Sequence, residues 1–338
     1  MRKLLYALAA SALLFTSWAQ AQPELRSDHP ERYTVVKGDT LWDISARFLN
    51  NPWYWPEIWH VNPQVANPHL IYPGDRLALV YIDGKPRITK VATSDVVKLS
   101  PQVRSEAIDT PIPAIPLDAI ASFLTETRIV SPEEINGAPY VLEGEDGRII
   151  TGAGDRIYAR GEKPADRVGI FRRSKEFVDP DTGEFLGLEP RSIARGNVNA
   201  ENGDVLTVGI TKSSEEVRIG DRLLVNEDRR LTTSFVPSSP DSEIEGKMIS
   251  VDGGVSQIGQ YDVVAINRGE REGLAPGNVL AVLKAGNMVR DPVTGETIEL
   301  PSERAGLLMV FQAYEKMSYG LVLQATRPLS VGDKVTNP

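Results

Sequence analysis

The sequence predicts a multidomain α+β protein, with an N-terminal βααβ module followed by two repeated small, mainly-β domains. Three observations lead to this prediction. Strand-like and helix-like apolar patterns alternate over residues 33–80, the region after residue 139 is β-rich, and two motifs recur there at one fixed spacing. With 338 residues, of which 41% are hydrophobic, the chain can form two or three domains with ordinary cores.

The N-terminus has the three regions of a secretory signal peptide. Positive residues precede a short apolar run at residues 4–15, and a small-x-small cleavage site ends at Ala21. We therefore predict a signal peptide at residues 1–21, a mature chain that starts at Gln22, and a periplasmic location. The apolar run is short for a bilayer, although an uncleaved membrane anchor is the alternative. No later stretch predicts a transmembrane segment.

Composition excludes several classes of function. The formal net charge of −9 and the absence of a basic patch argue against nucleic acid as a partner. The chain has no cysteine, which excludes disulfides, thiolate nucleophiles and cysteine-ligated zinc.

The βααβ unit is assigned to residues 31–81. Thr40 and Asp43 stand at the spacing of a capping box, which places the start of the first helix after Thr40. A second helix is predicted over residues 56–62, with Pro56 in its first turn. A closing strand follows the turn "YPGD". The apolar positions expected to hold the first helix in the core are Leu41, Ile44 and Phe48.

Three stretches of this unit, "YTVVKGDTLWDISARF", "EIWHVNP" and "NPHLIYPGDRLAL", resemble a LysM domain. The resemblance implies a two-stranded sheet with two helices on one face, and binding of glycans that contain N-acetylglucosamine, such as peptidoglycan or chitin. It also implies two facing loops whose exposed backbone groups bind N-acetyl amides. The glycan-binding residues expected from it are Gly38, Asp39, Thr40, Leu41, Asn67, Pro68, Leu70 and Ile71.

The same residues have a structural interpretation. Asp39 and Thr40 can cap the first helix, while Leu41 and Ile71 can lie in the core. The loop "LNNPWYWPEIW" is unusually aromatic, and four of the five tryptophans lie between residues 42 and 59. Aromatic faces can stack on sugars, but we favour a role in the core, because so small a unit needs large buried groups.

Residues 82–139 are predicted to be a connector that packs on the following region. "TPIPAIP" is extended because each proline restricts its own φ and the preceding residue. "LDAIASFL" predicts a short amphipathic helix, and Ser131 is expected to cap a helical turn.

The remaining chain contains an internal repeat. "DPDTGE" at residues 179–184 recurs 112 residues later as "DPVTGE", and "VRIGDRL" at residues 217–223 recurs 112 residues later as "LSVGDKV". "YARG" and "INRG" match more loosely upstream. The repeat predicts two β domains, at residues 140–227 and 246–338, joined by a linker at residues 228–245.

The "DPxTGE" motifs are predicted to form tight turns in which Gly183 and Gly295 supply a positive φ. Calcium binding is the alternative, because Asp179, Asp181 and Glu184 offer carboxylate oxygens. The second copy has Val293 at the middle position, which favours the turn.

No catalytic, cofactor or metal site is predicted. His29, His60 and His69 are the only histidines, so the region after residue 139 contains no imidazole for zinc or for a serine nucleophile. Carboxylates such as Glu215 and Glu216 remain, and a glycosidase would need two of them facing across a cleft.

Through "INRGEREGLAPGNVLAV", "DPVTGE" and the closing "VGDKV", the C-terminal copies loosely resemble the small β-barrel-like modules of periplasmic assembly proteins, including the C-terminal part of a flagellar basal-body ring protein. The whole chain resembles uncharacterised LysM-containing secreted proteins of Gram-negative bacteria. The leading hypothesis is a non-enzymatic envelope protein that binds peptidoglycan strands. Its β domains would then present a surface to an unknown envelope protein or for self-association. The alternatives are a cell-wall enzyme with an unrecognised carboxylate site and a scaffold component of an envelope assembly.

Overall fold

The computed structural model describes residues 23–59, 71–91, 111–225, 235–254, 257–284 and 288–338. The chain divides into two compact units, residues 1–112 and residues 113–338. None of the helices in the described ranges combines the length and the apolar character needed to cross a membrane.

The first unit contains a three-stranded antiparallel sheet and two helices. Its elements are β1 (Arg32–Thr34), α1 (Leu41–Phe48), a 3-10 turn (Pro52–Tyr54), α2 (Trp55–Ile58), β2 (Arg76–Ile82) and β3 (Lys85–Lys90). The strand order is β1-β2-β3, with Tyr33 opposite Leu77 and Leu79 opposite Ile88. The order of strand, two helices and strand agrees with the sequence prediction.

The third strand corrects the expectation of a two-stranded sheet. Asp83 and Gly84, both with positive φ (51° and 74°), turn the chain back so that residues assigned to the connector pair with β2. Asp-Gly is a favoured pair for a two-residue hairpin turn. The predicted second helix is also shorter than expected, because Trp59 is extended and forms a parallel bridge with Ile88 of β3.

Aromatic residues form much of the core of the first unit. Trp42, Trp55 and Trp59 are buried, which confirms the predicted core role for these three tryptophans. Trp53 differs, because it is half-buried and stacks on Tyr54 with ring centroids 3.8 Å apart.

The second unit begins with two short helices, α3 (Ala121–Glu126) and α4 (Pro132–Gly137). Ser131 caps α4, since its Oγ accepts a hydrogen bond from the backbone N–H of Glu134 at 3.1 Å. Ile135 of α4 packs with Phe171, Leu188 and Leu224 of the following β region.

Six strands of this unit form a first closed barrel, in the order β11-β4-β6-β9-β8-β7. A short pair, β5 with β10, lies beside it. The strands are β4 (Tyr140–Gly144), β5 (Ile150–Thr151), β6 (Arg156–Arg160), β7 (Arg167–Val178), β8 (Phe185–Asn202), β9 (Val205–Ser213), β10 (Val217–Arg218) and β11 (Arg222–Val225).

A second closed barrel follows, in the order β12-β13-β18-β17-β14-β19. Between β14 and β17 the chain forms a two-stranded hairpin, β15 with β16. The strands are β12 (Glu245–Val251), β13 (Val263–Ile266), β14 (Val279–Lys284), β15 (Met288–Arg290), β16 (Thr297–Glu299), β17 (Glu303–Ala313), β18 (Ser318–Ala325) and β19 (Lys334–Thr336). When the barrel strands are counted in chain order, both barrels close in the cyclic order first, second, fifth, fourth, third, sixth.

The two "DPxTGE" segments form the predicted tight turns. The N–H of Gly183 donates to the carbonyl of Asp179 at 2.9 Å, and Gly295 donates to Asp291 at the same distance. Both glycines have positive φ, 73° and 75°. The aspartate carboxylates accept backbone N–H groups inside their own turns, which confirms the turn interpretation.

The barrels contact each other through the first of these turns. Asp179 is buried, and its Oδ2 accepts hydrogen bonds from Asn267 Nδ2 at 2.9 Å and from Arg268 Nη1 at 3.3 Å. The Glu184 carboxylate accepts hydrogen bonds from Nη1 and Nη2 of Arg271, both at 2.8 Å, and forms an ion pair with Lys316 Nζ at 2.9 Å. These two cations, Arg271 first, lower the pKa of Glu184 to about 2.

An aromatic contact reinforces this interface. Tyr319 of the second barrel meets Phe177 of the first edge to face, with ring centroids 6.2 Å apart. The Tyr319 hydroxyl donates to Glu189 at 2.7 Å, and burial, together with this carboxylate, raises the Tyr319 pKa.

Candidate functional site

The first predicted wall of the glycan site is a tight turn at residues 36–39. The Asp39 carboxylate accepts hydrogen bonds from the Val36 N–H and from the Tyr33 hydroxyl, both at 2.9 Å. Gly38 has a φ of +98°, and a Cβ built on it would meet no atom within 4 Å. Its conformation therefore requires glycine, and the space beside its backbone is open to a ligand.

Thr40 and Leu41 complete this wall but point into the unit. Thr40 is buried and caps α1, since its Oγ1 accepts the Asp43 N–H at 3.1 Å and donates to Asp43 Oδ2 at 2.7 Å. This confirms the predicted cap. Leu41 is also buried. A ligand at this wall would therefore contact backbone groups rather than the buried side chains of Thr40 and Leu41.

Of the second predicted wall, only Ile71 falls within the described residues; Asn67, Pro68 and Leu70 lie outside them. Ile71 is buried, and its carbonyl accepts the N–H of Ile112 at 2.8 Å.

A second tight turn, "YPGD" at residues 72–75, follows Ile71 and packs against the strand that leads into the first wall. The Asp75 carboxylate accepts the Tyr72 N–H at 3.0 Å, as Asp39 accepts the N–H three residues before it. Val35, which precedes the first turn, forms two backbone hydrogen bonds with the second. Its carbonyl accepts from the Gly74 N–H at 2.7 Å, and its N–H donates to the Asp75 carbonyl at 2.9 Å. The turn at residues 36–39 is thereby held against the start of β2.

Tyr33 also stabilises the turn at residues 36–39, although it is not among the site residues predicted from the sequence. Its ring lies under the Arg47 guanidinium, 4.7 Å from the ring centroid, and its hydroxyl holds Asp39. Burial, followed by the Asp39 carboxylate, raises the Tyr33 pKa, so the phenol remains protonated and donates. The signal was available, because Tyr33 stands six residues before Asp39 at the start of the quoted motif.

The partly exposed pair Trp53 and Tyr54 is an aromatic surface of the first unit that is compatible with sugar stacking. Burial raises the pKa of Tyr54, with a smaller contribution from Glu57.

The carboxylates considered for catalysis lie on the first barrel and are paired with arginines. Glu215 contacts Arg172 at 3.5 Å and Arg191 at 3.4 Å, while Glu216 contacts Arg218 at 3.4 Å. Over the described ranges, no cluster of three or more His, Asp or Glu residues could hold a metal ion.

Comparison with known proteins locates a family match in the first unit. Residues 33–79 match the LysM domain family. The uncharacterized protein YqbP of Bacillus subtilis (strain 168) is 38% identical over 60 residues, which cover 15% of this chain and 27% of that protein. The chain therefore spans about a quarter of the length of this relative. On these grounds the segment of the chain from Tyr33 to Leu79 is a LysM domain, a module that indicates binding to peptidoglycan or related N-acetylglucosamine glycans.

Proposed function

We propose that this protein is an exported, non-enzymatic component of the periplasm that is held on peptidoglycan by its LysM domain. The two barrels present a surface to another envelope protein or to a second copy of the chain. The single observation that supports this most directly is the LysM match over residues 33–79, because the matched segment contains both turns of the site.

The proposed glycan contacts are mainly to the backbone. The buried side chains of Asp39, Thr40 and Leu41 hold the turn and the start of α1, so the exposed backbone groups near Gly38 keep one geometry. A preorganised set of donors and acceptors binds an amide with little loss of conformational entropy. Asn67, Pro68, Leu70 and Ile71 are proposed to form the facing wall.

The two barrels are proposed to be copies of one module, at residues 140–227 and 246–338. Two observations support this proposal: the strand order that the barrels share, and the 112-residue spacing of the "DPxTGE" and "GD" motifs. Gly220 and Gly332 also have similar positive φ values, 88° and 98°, in the turns before the sixth strands.

A pelleting assay with purified sacculi tests the proposal. The full chain should pellet and residues 113–338 should not, while residues 23–112 include β3 and should pellet alone. Short soluble oligomers should bind weakly, at micromolar affinity or poorer, because a shallow groove buries little of a ligand. Equal pelleting of both fragments would move the glycan site out of the first unit, and released muropeptides would support an enzyme instead.

Variants of the full chain refine the assay. Asn67→Ala and Leu70→Ala should each reduce pelleting. Tyr81→Ala is the matched control, because Tyr81 lies in the same unit with an exposed side chain on β2 and is not assigned to either wall.

A further inference from the structure

The three-stranded sheet of the first unit has a face that packs on the helices and an outer face. Leu77 and Ile88 are buried on the helix face, together with Tyr33, whose ring lies under Arg47 of α1. Because side chains alternate along a strand, the residues next to these belong to the outer face. The outer face thus includes four cations, from β1, β2 and twice from β3: Arg32, Arg76, Lys85 and Arg87.

Among the described residues, these four cations have no acidic partner. No strand position of the outer face carries an acidic residue, and none of the four side chains forms an ion pair over the described part of the chain. On the helix face, by contrast, Lys90 pairs with Asp75 at 2.6 Å. Three of the four cations are exposed and Arg87 is half-buried. In a chain with a formal net charge of −9, the outer face is therefore a local patch of positive charge.

The cations are spread along the sheet. Arg76 is the first residue of β2. Arg87 stands opposite Val80, and Lys85 stands opposite Ile82, which are four and six residues further along that strand. At about 3.4 Å per residue, the cations therefore span about 20 Å. A ligand that meets all of them is extended and carries several anionic groups.

One end of this cationic face adjoins the candidate glycan site. Thr34 and Arg76 stand opposite each other in the sheet. Thr34 lies two residues before the turn at residues 36–39, and Arg76 directly follows the turn at residues 72–75. A glycan bound at these turns would therefore place the groups attached to it close to Arg76.

We propose that the outer face binds the carboxylates of the short peptides that branch from peptidoglycan strands. This inference rests on the proposed function, in which the turns of the same unit bind the glycan itself. The peptides carry free carboxylates at intervals along the strand, and arginine binds carboxylates through charge-assisted, often bidentate hydrogen bonds. Chitin has the same N-acetylglucosamine units without carboxylates, so the outer face makes the domain selective for peptidoglycan.

An anionic membrane surface is the other extended ligand that a cationic face could meet. Segments that bind a membrane surface combine cations with apolar side chains that enter the lipid boundary. Val80 and Ile82, the large apolar residues of the outer face on β2, are both half-buried between the cations. This composition and the adjoining glycan site favour the peptide carboxylates.

Pelleting of the full chain, as processed by the cell, with increasing amounts of purified sacculi tests the inference. The double variant Arg76→Gln/Arg87→Gln removes two of the four charges. It should weaken sacculus binding about fivefold or more, since each exposed ion pair contributes up to about 1 kcal/mol. Neither side chain is buried, so unfolding followed by tryptophan fluorescence should be unchanged.

The double variant Arg26→Gln/Lys90→Gln is the matched control. It removes the same two positive charges from the same unit, but Lys90 belongs to the helix face and Arg26 lies before β1, where it pairs with Asp28. Its binding to sacculi should equal that of the wild-type chain. A general effect of net charge would weaken both double variants alike.

Sacculi whose carboxyl groups have been converted to amides make the complementary change in the ligand. The wild-type chain should bind these amidated sacculi about as weakly as the Arg76→Gln/Arg87→Gln variant binds untreated ones. That variant should bind amidated and untreated sacculi with more nearly equal affinity, because fewer cations remain to meet the carboxylates. The glycan is the same in both preparations, so its own contribution cancels in the comparison.

Equal binding of untreated sacculi by the wild-type chain and the Arg76→Gln/Arg87→Gln variant would overturn the inference and leave the proposed function intact. So would an equal loss of binding by this variant on amidated sacculi. If this variant lost binding to vesicles of phosphatidylglycerol while its sacculus binding was unchanged, the outer face would be a membrane site instead. A wild-type chain that bound neither kind of sacculus would refute the proposed function together with this inference.

Discussion

Asp179→Ala and Asp291→Ala should lower the free energy of unfolding of the barrels by clearly different amounts, although they change the equivalent position of two similar turns. In both turns the aspartate Oδ1 accepts two backbone N–H groups, at 2.8 and 3.1 Å for Asp179 and at 2.7 and 3.3 Å for Asp291. Both variants keep the glycine with positive φ that closes the turn. Both variants lose these turn hydrogen bonds, which contribute about 1 kcal/mol, and Asp291→Ala also loses the one that the Thr294 hydroxyl donates to Asp291 Oδ2 at 2.9 Å.

Only Asp179 has partners on the other barrel. Its Oδ2 receives Asn267 Nδ2 at 2.9 Å, and Asn267 is fully buried. A hydrogen bond to a charged group contributes about 1.5–3 kcal/mol, and removing one partner leaves the buried amide unpaired. The Arg268 contact is longer at 3.3 Å and contributes less. We therefore expect Asp179→Ala to destabilise the barrels by about 2 kcal/mol more than Asp291→Ala.

The stabilities of the two units can be measured separately in one urea-unfolding experiment. All five tryptophans lie at or before residue 59, so tryptophan fluorescence follows the first unit alone, while far-UV circular dichroism is dominated by the barrels. The fluorescence transition should stay unchanged in both variants and serves as the internal control. Equal shifts of the circular dichroism transition in the two variants would refute the reasoning, since the contact between the barrels would then contribute nothing measurable.

Four further predictions concern single positions. Thr40→Ala should lower the free energy of unfolding of the first unit, measured by tryptophan fluorescence, by about 1 kcal/mol. Thr40→Ser should retain most of the wild-type stability, because serine keeps the hydroxyl that caps α1. Glu184 has a pKa of about 2 in the folded protein, below its ordinary value of 4.5. Its stabilising contribution is therefore complete above pH 4.5 and is lost as the pH falls towards 2. Glu184→Gln should make barrel stability, measured by circular dichroism, less dependent on pH over this range. Gly295→Val should lower the melting temperature of the barrels, through about 1 kcal/mol or more of backbone strain at a φ of +75°, without changing sacculus binding. N-terminal sequencing of exported protein should find Gln22, whereas an intact Met1 would contradict cleavage.

The local sequence was sufficient to predict most of the structure of the LysM domain. The cap at Thr40, the helix that follows it and the turn at Gly38 each depend on residues a few positions apart, so their signals are contiguous in the chain. The "DPxTGE" turns were predictable for the same reason. Placement of the tryptophans in the core followed from the size of the unit, although Trp53 remains partly exposed.

The third strand of the first unit was missed although its turn residues, Asp83 and Gly84, are a known hairpin signal. Lys85–Lys90 has charged residues at both ends and a proline, so its pattern alone favours a connector. What makes it a strand is the neighbouring β2, which supplies the hydrogen bonds, while Ile88 is buried and also forms a bridge with Trp59.

The sequence by itself determined the LysM domain, the turns and the spacing of the repeated motifs, since each is specified by neighbouring residues or by direct comparison along the chain. Only the tertiary structure decided which six strands close each barrel and in what order, because closure depends on pairs such as β7 with β11, whose strands are far apart in sequence. It also decided that Asp179 is buried while the similar turn at Asp291 faces solvent. Two similar local motifs therefore have different environments when only one of them contacts another surface, and the local sequence does not indicate which one does.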